Sequence, residues 1–394
     1  MSLGQKFSSN IKKLYLLFFL EGAHLFSAVL VPFFTDWGNL GMGQILFLQF
    51  WFMFWIFALE VPTGAIADHF GRKKSVALGR LFWGVGAITY AIIPDFRLFL
   101  LSEFLMAVGA ALVSGADEAI AYDTLREMKQ EKKAKDFLGR LESTRLSGIL
   151  VTGIAGSFVA GWLGITWPMR LSAVGPFVAV LVALSLKEPS IGRLRAHKNY
   201  FRTLFSGVRI FLRKKTVKIL AFDGISTAIS GYFVIWFYQL FLKELGFPIF
   251  YFGFVHAGLV VGQLIVAGKF SWLESRFREK RGYLSASAFL TGSAVLALAF
   301  AKTPWLAIFL AIVACSFGMT RWTLISSYIN KHIPSRERAT VLSAVSMGKR
   351  ASIAIANLVV GFFAGFSAHW TLAGIGIFAI LAAIFSRIEE RHLK

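Results

Sequence analysis

Residues 60–74 read EVPTGAIADHFGRKK and join the end of one long apolar segment to the start of the next. Gly64 is expected to let two helices approach each other closely, and Gly71 to permit a sharp turn between them. Asp68 lies where the first of these helices would leave a membrane. A basic cluster follows at once, made of Arg72, Lys73 and Lys74. Such a cluster marks a loop on the cytoplasmic side.

Composition favours a membrane protein. Of the 394 residues, 56% are hydrophobic, 15% are aromatic and 16% are charged, whereas soluble domains carry about a quarter charged residues. The apolar residues fall in segments long enough to cross about 30 Å of hydrocarbon as a helix. We therefore predict an all-α membrane protein. The one cysteine, Cys315, lies inside such a segment, so neither a disulfide, a metal site nor a cofactor is expected.

The apolar segments predict twelve transmembrane helices, called spans 1 to 12 below. In chain order they cover 12–34, 43–66, 75–93, 98–121, 141–164, 168–187, 217–242, 249–272, 283–301, 304–327, 341–364 and 368–386. Turn signals separate them, among which are Pro94-Asp95 and Thr303-Pro304. A polar, basic central loop at 188–216 divides the chain into two six-helix halves, 1–187 and 217–394.

The net charge of +21, from 42 basic and 21 acidic residues, is distributed unevenly between the two sides of these spans. The connections predicted on the outer side carry four basic residues, Arg97, Arg170, Lys243 and Lys302. The inner connections carry the basic clusters, which places both termini in the cytoplasm by the positive-inside rule. Attraction to anionic lipid accounts for the excess charge, so we expect the bilayer rather than nucleic acid as the partner.

The pattern Gly64-x-x-x-Asp68-x-x-Gly71-Arg72-Lys73 resembles the loop between the second and third helices of the major facilitator superfamily, a large family of secondary transporters. The resemblance extends over the twelve spans and the central loop. It implies a central cavity lined by spans 1, 4, 7 and 10, and it implies no enzyme activity. It also implies an inner gate, whose members here are Gly64, Asp68, Gly71, Arg72, Lys73 and, as a further member, Asp123.

Ionisable residues inside the spans are the candidates for chemistry, because each is costly in hydrocarbon and is expected to face the bundle interior. Glu21 of span 1 and Asp117 of span 4 are the candidates for proton coupling. With helical spacing, Glu21, His24 and Ser27 would share one face of span 1, and Ser114 and Asp117 one face of span 4. The candidate substrate cavity comprises His24, Ser114, Glu118, Asp223, Ser226, Thr227, His256, Gln263, Arg321 and Asn357.

Several assignments stay open at this point. Glu21 and Asp117 could belong to a structural ion pair, and His24 could simply donate to a backbone carbonyl. Arg321 could meet Asp117 across the cavity as a gate, or it could bind an anionic group of the substrate. Three of these residues also suggest another class of protein, a membrane-embedded enzyme that uses Glu21 with His24, or Asp117.

The run Ser114-Gly115-Ala116-Asp117-Glu118 resembles span 4 of a bacterial, drug-efflux-like group of the superfamily. The resemblance implies a proton-linked secondary transporter of the inner membrane, which we expect to be a monomer. It would move a small organic or amphipathic solute by alternating access, with export favoured. Span 4 lacks the central arginine of many proton-driven exporters, and span 5 lacks the Gly-Pro pair of many antiporters. Import of a metabolite or organic ion is therefore the alternative.

Overall fold

A computed structural model describes residues 3–189, 209, 211, 213–334 and 338–393. All the regular secondary structure of these residues is helical. Eight of the helices found there are long and apolar enough to cross a membrane. The protein is therefore an all-α, multi-pass membrane protein, as predicted.

Helices occur at each of the first six predicted spans. Span 1 comprises Leu3–Gly22, Leu30–Pro32 and the π-helical turn Phe33–Trp37; span 2 is Met42–Phe70; span 3 is Arg72–Tyr90; span 4 comprises Phe96–Val113 and Ala116–Glu127; span 5 is Ala134–Leu163; and span 6 comprises Trp167–Ser172 and Val174–Ser185.

Helices occur at each of the last six predicted spans as well. Span 7 is Lys215–Glu244; span 8 comprises the 3-10 turn Ile249–Tyr251 and Phe252–Gly268; span 9 is Lys280–Leu298; span 10 is Pro304–Lys331; span 11 is Arg338–Ala364; and span 12 is Ala368–Ile384. A short helix, Phe270–Ser275, precedes span 9, and a 3-10 turn, Glu390–His392, follows span 12.

Contacts divide the chain into two compact units. The N-terminal unit comprises Met1–Asn39, Leu48–Lys198 and Ile249–Phe254, and the C-terminal unit comprises Leu40–Phe47, Asn199–Pro248 and Val255–Lys394. Each unit buries its own apolar core. Most of the predicted central loop, 190–208, lies outside the described residues, so its role as the boundary stays a prediction.

At two of the predicted turns, a side chain caps the N-terminus of the helix that follows. Asp95 accepts a hydrogen bond from the backbone N–H of Leu98 at 3.1 Å, at the start of span 4. Thr303 accepts one from the N–H of Leu306 at 3.4 Å, at the start of span 10. A side-chain oxygen at this position satisfies an N–H group that has no partner within the helix. The loops predicted at these two places are confirmed.

Spans 1 and 4 are interrupted, so the prediction that Glu21, His24 and Ser27 share one helical face is wrong. The first helix of span 1 ends at Gly22, and helix resumes only at Leu30. In span 4 the first helix ends before Gly115, whose φ is +74°. Glycine adopts this left-handed conformation readily, and it commonly ends a helix there.

Ser114 and Asp117 therefore lie on either side of a helix break rather than on one helical face.

The broken part of span 1 lies against span 5. A Cβ added at Gly156 would lie 1.7 Å from the carbonyl oxygen of Leu25, and one at Gly148 would lie 2.4 Å from that of Phe19. Glycine at both positions lets the two backbones meet. Gly64 differs, since an added Cβ there meets no heavy atom of the described residues within 4 Å. The close approach expected at Gly64 is therefore not seen among the described residues and stays a prediction.

Candidate functional site

An ion pair joins spans 1 and 3 inside the N-terminal unit. Nη2 of Arg80 donates to Oε2 of Glu21 at 2.5 Å. The Arg80 side chain is 9% exposed and that of Glu21 is 27% exposed, so the carboxylate is the more accessible partner. The sequence analysis missed Arg80. The signal was present, because Arg80 is a basic residue inside a predicted span, and such residues are costly unless they are paired.

Asp117 lines the same small cavity as Glu21 and Arg80. It lies in the first turn of helix Ala116–Glu127, where free N–H groups and the helix dipole favour a negative charge. Its Oδ1 accepts a hydrogen bond from the N–H of Glu118 at 2.8 Å. The carboxylate also interacts electrostatically with Glu21 and Arg80. Both predicted coupling carboxylates therefore line one cavity with Arg80, which forms its ion pair with Glu21 and not with Asp117.

The remaining walls of this cavity are apolar. They are formed by Leu14, Leu17, Phe18, Val76, Ile120 and Leu186. The space open to the centre of a water molecule is about 10 Å³, which is about what a single water needs. The carboxylates of Glu21 and Asp117 thus share a confined site with little room for solvent.

The charges of this site do not balance. Two carboxylates line a cavity with one guanidinium, that of Arg80, and only Glu21 is paired with it directly. An arginine side chain stays protonated at any physiological pH. Arg145 of span 5 also acts on both carboxylates, but it is bound to Glu142 by hydrogen bonds of 2.8 Å and 2.5 Å. With Glu21 and Asp117 both ionised, the site carries one uncompensated negative charge. A single proton neutralises it.

Three other predicted residues of the N-terminal unit lie around this site. The ring of His24 stacks on Trp83, with 5.4 Å between ring centroids, in the interrupted part of span 1. Its Nδ1 is buried and has no hydrogen-bond partner among the described residues. Ser114 and Glu118 flank Asp117 and are exposed. Of these three residues, Ser114 and Glu118 are thus accessible from outside the unit, whereas Nδ1 of His24 is not.

A second ion pair lies deep in the C-terminal unit. Nε and Nη2 of Arg321 donate to Oδ2 of Asp223 at 3.0 Å and 2.5 Å. Arg321 also donates to Oγ of Ser287 at 2.8 Å and to the carbonyl oxygen of Leu284. Oδ1 of Asp223 accepts a hydrogen bond from Ser386 at 2.9 Å. The charges here balance one to one.

The Asp223 and Arg321 side chains are 6% and 2% exposed, so their pair is sealed from solvent. Buried pairs of this kind are retained where their hydrogen bonds are complete. A role of Arg321 as a gate towards Asp117, or as a substrate ligand, would require this pair to open.

The other candidates of the C-terminal unit make hydrogen bonds within that unit. The hydroxyls of Ser226 and Thr227 donate to backbone carbonyls one turn earlier in the same helix, at 2.8 Å and 3.2 Å. His256 lies 3.2 Å from the hydroxyl of Tyr238. The side-chain amide of Gln263 lies 3.4 Å from Sγ of Cys315, and that of Asn357 lies 3.3 Å from the hydroxyl of Tyr232. Their place in a substrate cavity stays a prediction.

The predicted gate motif forms a turn held by acidic side chains. Gly71 has a φ of +94°, so the sharp turn expected there is confirmed. Arg72 forms an ion pair with Asp123 of span 4. Glu188 accepts hydrogen bonds from the N–H groups of Arg72 at 2.9 Å and Lys73 at 3.0 Å, which caps span 3.

Glu188 was not among the residues predicted from the sequence, although it lies just after the end of span 6, behind Leu186 and Lys187. The side chain of Asp68 lies outside what the structure describes, and its backbone belongs to span 2. Its part in the gate stays a prediction.

Comparisons with known proteins agree with this architecture. The family model described as Major Facilitator Superfamily matches residues 14–271 and again 220–394. The uncharacterized MFS-type transporter YxaM of Bacillus subtilis (strain 168) is 24% identical over 365 residues, which is 85% of each chain. Multidrug resistance protein 2 of the same organism is 32% identical over 127 residues, which is 32% of this chain and 30% of that relative.

A solved structure of the nucleoside transporter NupG has a TM-score of 0.77 at 13% identity, with 98% of each chain covered. At that identity the likeness concerns the fold alone.

Proposed function

Because the chain belongs to the Major Facilitator Superfamily, we propose that it is a proton-linked secondary transporter of a bacterial inner membrane. The observation that carries the proposal is the unbalanced cavity, which holds two carboxylates, those of Glu21 and Asp117, and one guanidinium, that of Arg80. The cargo is a small organic or amphipathic solute, moved by alternating access. Export is favoured, and the partial similarity to Multidrug resistance protein 2 supports this direction.

The coupling follows from the charge count. An uncompensated charge is expensive within the membrane, so the site favours a state in which the extra carboxylate is neutralised. A proton on Asp117 achieves this, and so does a cationic group of a solute. The proton and the cationic solute compete for the same carboxylate, so binding of one releases the other. Competition of this kind produces exchange of protons for solute.

The interrupted helices support the same location. The carbonyl end of helix Leu3–Gly22 and the N–H end of helix Ala116–Glu127 both lie at the site, next to Glu21 and Asp117. Broken helices whose ends face a cavity are where many secondary transporters hold their ions and substrates. The break at Gly115 also gives span 4 a place to bend during a transport cycle.

We place the inner gate at the turn between spans 2 and 3. The ion pair of Arg72 with Asp123 links the start of span 3 to the end of span 4, and Asp68 is its third member. Both termini and the loop at 188–216 lie on this cytoplasmic side in our proposal, and the transporter acts as a monomer without enzyme activity.

Infrared spectroscopy of the purified protein tests proton binding without a known substrate. The parent should show the band of a protonated carboxyl group that grows as pH falls, and Asp117→Asn should reduce it. Asp136→Asn provides the matched control, because Asp136 is an exposed acid at the start of span 5. A carboxyl band that titrates identically in the parent, Asp117→Asn and Glu21→Gln would place the proton elsewhere.

Import of a metabolite or organic ion is the second candidate, favoured by the absence of a proline from span 5. The same carboxylates serve an importer if proton and solute bind together. Proteoliposomes distinguish the two, because antiport accumulates solute when the lumen is acidic and symport accumulates it when the outside is acidic.

A further inference from the structure

A wide basic cleft opens at the end of the C-terminal unit where spans 7 and 9 begin and span 12 ends. Its volume is about 780 Å³. Its polar lining includes Lys215, Thr216, Arg281, Arg387, Glu389 and Arg391. Of these, Arg391 is paired with Glu389 at 2.7 Å. The cleft is separate from the site of Glu21 and Asp117, which lies in the other unit.

Three cations of the cleft have side chains that form no ion pair among the described residues. Lys215, Arg281 and Arg387 are exposed, and their side chains form no ion pair within residues 3–189, 213–334 and 338–393. They come from three elements, the first turn of span 7, the first turn of span 9 and the segment after span 12. Convergence of like charges from separate elements is unfavourable unless an anion joins them.

The segment after span 12 is held in place rather than free. Ile388 and Leu393 are 2% and 0% exposed and pack into the core of the C-terminal unit. Oε2 of Glu390 accepts a hydrogen bond from the N–H of Arg281 at 3.1 Å. Arg387, between these anchors, is therefore presented on a fixed wall of the cleft.

His392 lies in the cleft, next to several charged side chains. Burial is the largest effect and lowers the pKa of His392. Glu389 raises this pKa, whereas the cations Arg391 and Lys215 and the ring of His332 lower it further. Nδ1 of His392 accepts a hydrogen bond from the N–H of Glu389 at 3.1 Å, which requires that nitrogen to be unprotonated. His392 is therefore neutral in this arrangement and adds no positive charge to the cleft.

Apolar surface begins directly beyond these charges. Ile219 lines the cleft, and Phe222, one turn further along span 7, is 69% exposed. On span 12, Ile384 and Phe385 are 62% and 74% exposed. In a membrane protein such side chains face hydrocarbon, so the cleft lies at the level of the lipid headgroups.

We propose that this cleft binds the phosphate group of an anionic phospholipid, with the acyl chains against the apolar ends of spans 7 and 12. Lysine and arginine side chains bind phosphate oxygens by charge-assisted hydrogen bonds. The N–H groups at the start of helix Lys215–Glu244 add a second favourable feature. Basic pockets at the cytoplasmic ends of transmembrane helices bind lipids in this way. Free phosphate offers the same oxygens but no acyl chains, so it should bind more weakly.

Native mass spectrometry of the full chain in detergent measures this binding. Dioleoyl phosphatidylglycerol is titrated alongside dioleoyl phosphatidylcholine and inorganic phosphate. We expect phosphatidylglycerol to bind most tightly, and the double variant Arg281→Gln, Arg387→Gln to bind it about 30-fold more weakly, at about fivefold for each cation removed. The matched control is Lys132→Gln, Lys135→Gln, which removes two exposed cations, one just before span 5 and one in its first turn, and should leave the affinity unchanged.

If the two double variants bind phosphatidylglycerol with equal affinity, the proposal that the lipid binds in this cleft is wrong. Inorganic phosphate that binds as tightly as phosphatidylglycerol would overturn the lipid assignment. Should the cleft variant unfold, shown by a lower melting temperature without lipid, Lys215→Gln alone provides the same comparison. Its affinity should fall about fivefold, and parental affinity in that variant would again count against the proposal.

Discussion

Asp223→Asn should destabilise the protein more than Arg321→Gln, although each removes one partner of the same ion pair. The two side chains are 6% and 2% exposed, so neither loss can be compensated by solvent. The guanidinium cannot lose its proton, and in Asp223→Asn it would stay charged with only the oxygens of Ser287 and Leu284 as full partners. Removing one partner of a buried pair costs about 3–5 kcal/mol.

In Arg321→Gln, Asp223 loses its cationic partner, but its carboxylate can become neutral by taking up a proton. It also keeps its hydrogen bond from Ser386 at 2.9 Å. We therefore expect the loss of stability to be near the lower end of about 3–5 kcal/mol in Arg321→Gln and near the upper end in Asp223→Asn.

Thermal unfolding in one detergent provides the measurement, read as a rank order because a chain of two units need not unfold in one step. Glu142→Gln is the control, since its pair with Arg145 is 50% and 33% exposed and is worth less than about 1 kcal/mol. The expected order of melting temperatures is parent and Glu142→Gln together, then Arg321→Gln, then Asp223→Asn. The reasoning is refuted if Asp223→Asn melts at the temperature of the control, or if Arg321→Gln melts at a lower temperature than Asp223→Asn.

Two further predictions concern the helix break and the gate. Gly115→Val forces a β-branched residue into a backbone with φ of +74°, which should cost more than about 1 kcal/mol and lower the melting temperature. Gly139→Ala, where an added Cβ meets no described atom within 4 Å, should not lower it, and equal melting of the two variants would contradict the role of the break. Asp68→Asn should sharply reduce transport in proteoliposomes with insertion unchanged, because it removes the acid of the gate motif; a parental transport rate would exclude Asp68 from the gate.

The twelve span positions could be predicted because they rest on local properties of the sequence. Apolar length places each segment, and residues such as Asp95 and Thr303 mark where helices begin. The interruptions of spans 1 and 4 were missed because hydrophobicity continues through them. A local signal did exist at Ser114-Gly115, where a glycine precedes two acids, Asp117 and Glu118, in the order expected for a helix end and a new helix start.

The candidate site was predicted in part. Glu21, Asp117, Asp223 and Arg321 stand out because charged residues within apolar segments are rare. Their pairing was not predictable, because it depends on which helix faces meet after folding. Arg80 lies 59 residues from Glu21 in the chain, and Arg321 lies 98 residues from Asp223. Sequence spacing indicates the face of one helix but not its neighbour.

Gradient-driven transport by Asp117→Asn tests the central claim, that one carboxylate beside Glu21 and Arg80 exchanges a proton for solute. A thermal-shift screen supplies the solute, because a ligand of the folded state raises the melting temperature. In proteoliposomes, the parent and Asp136→Asn should accumulate this solute when a pH gradient is imposed. Asp117→Asn should lose that accumulation and retain solute exchange without a gradient. Full accumulation by both Asp117→Asn and Glu21→Gln would contradict the account.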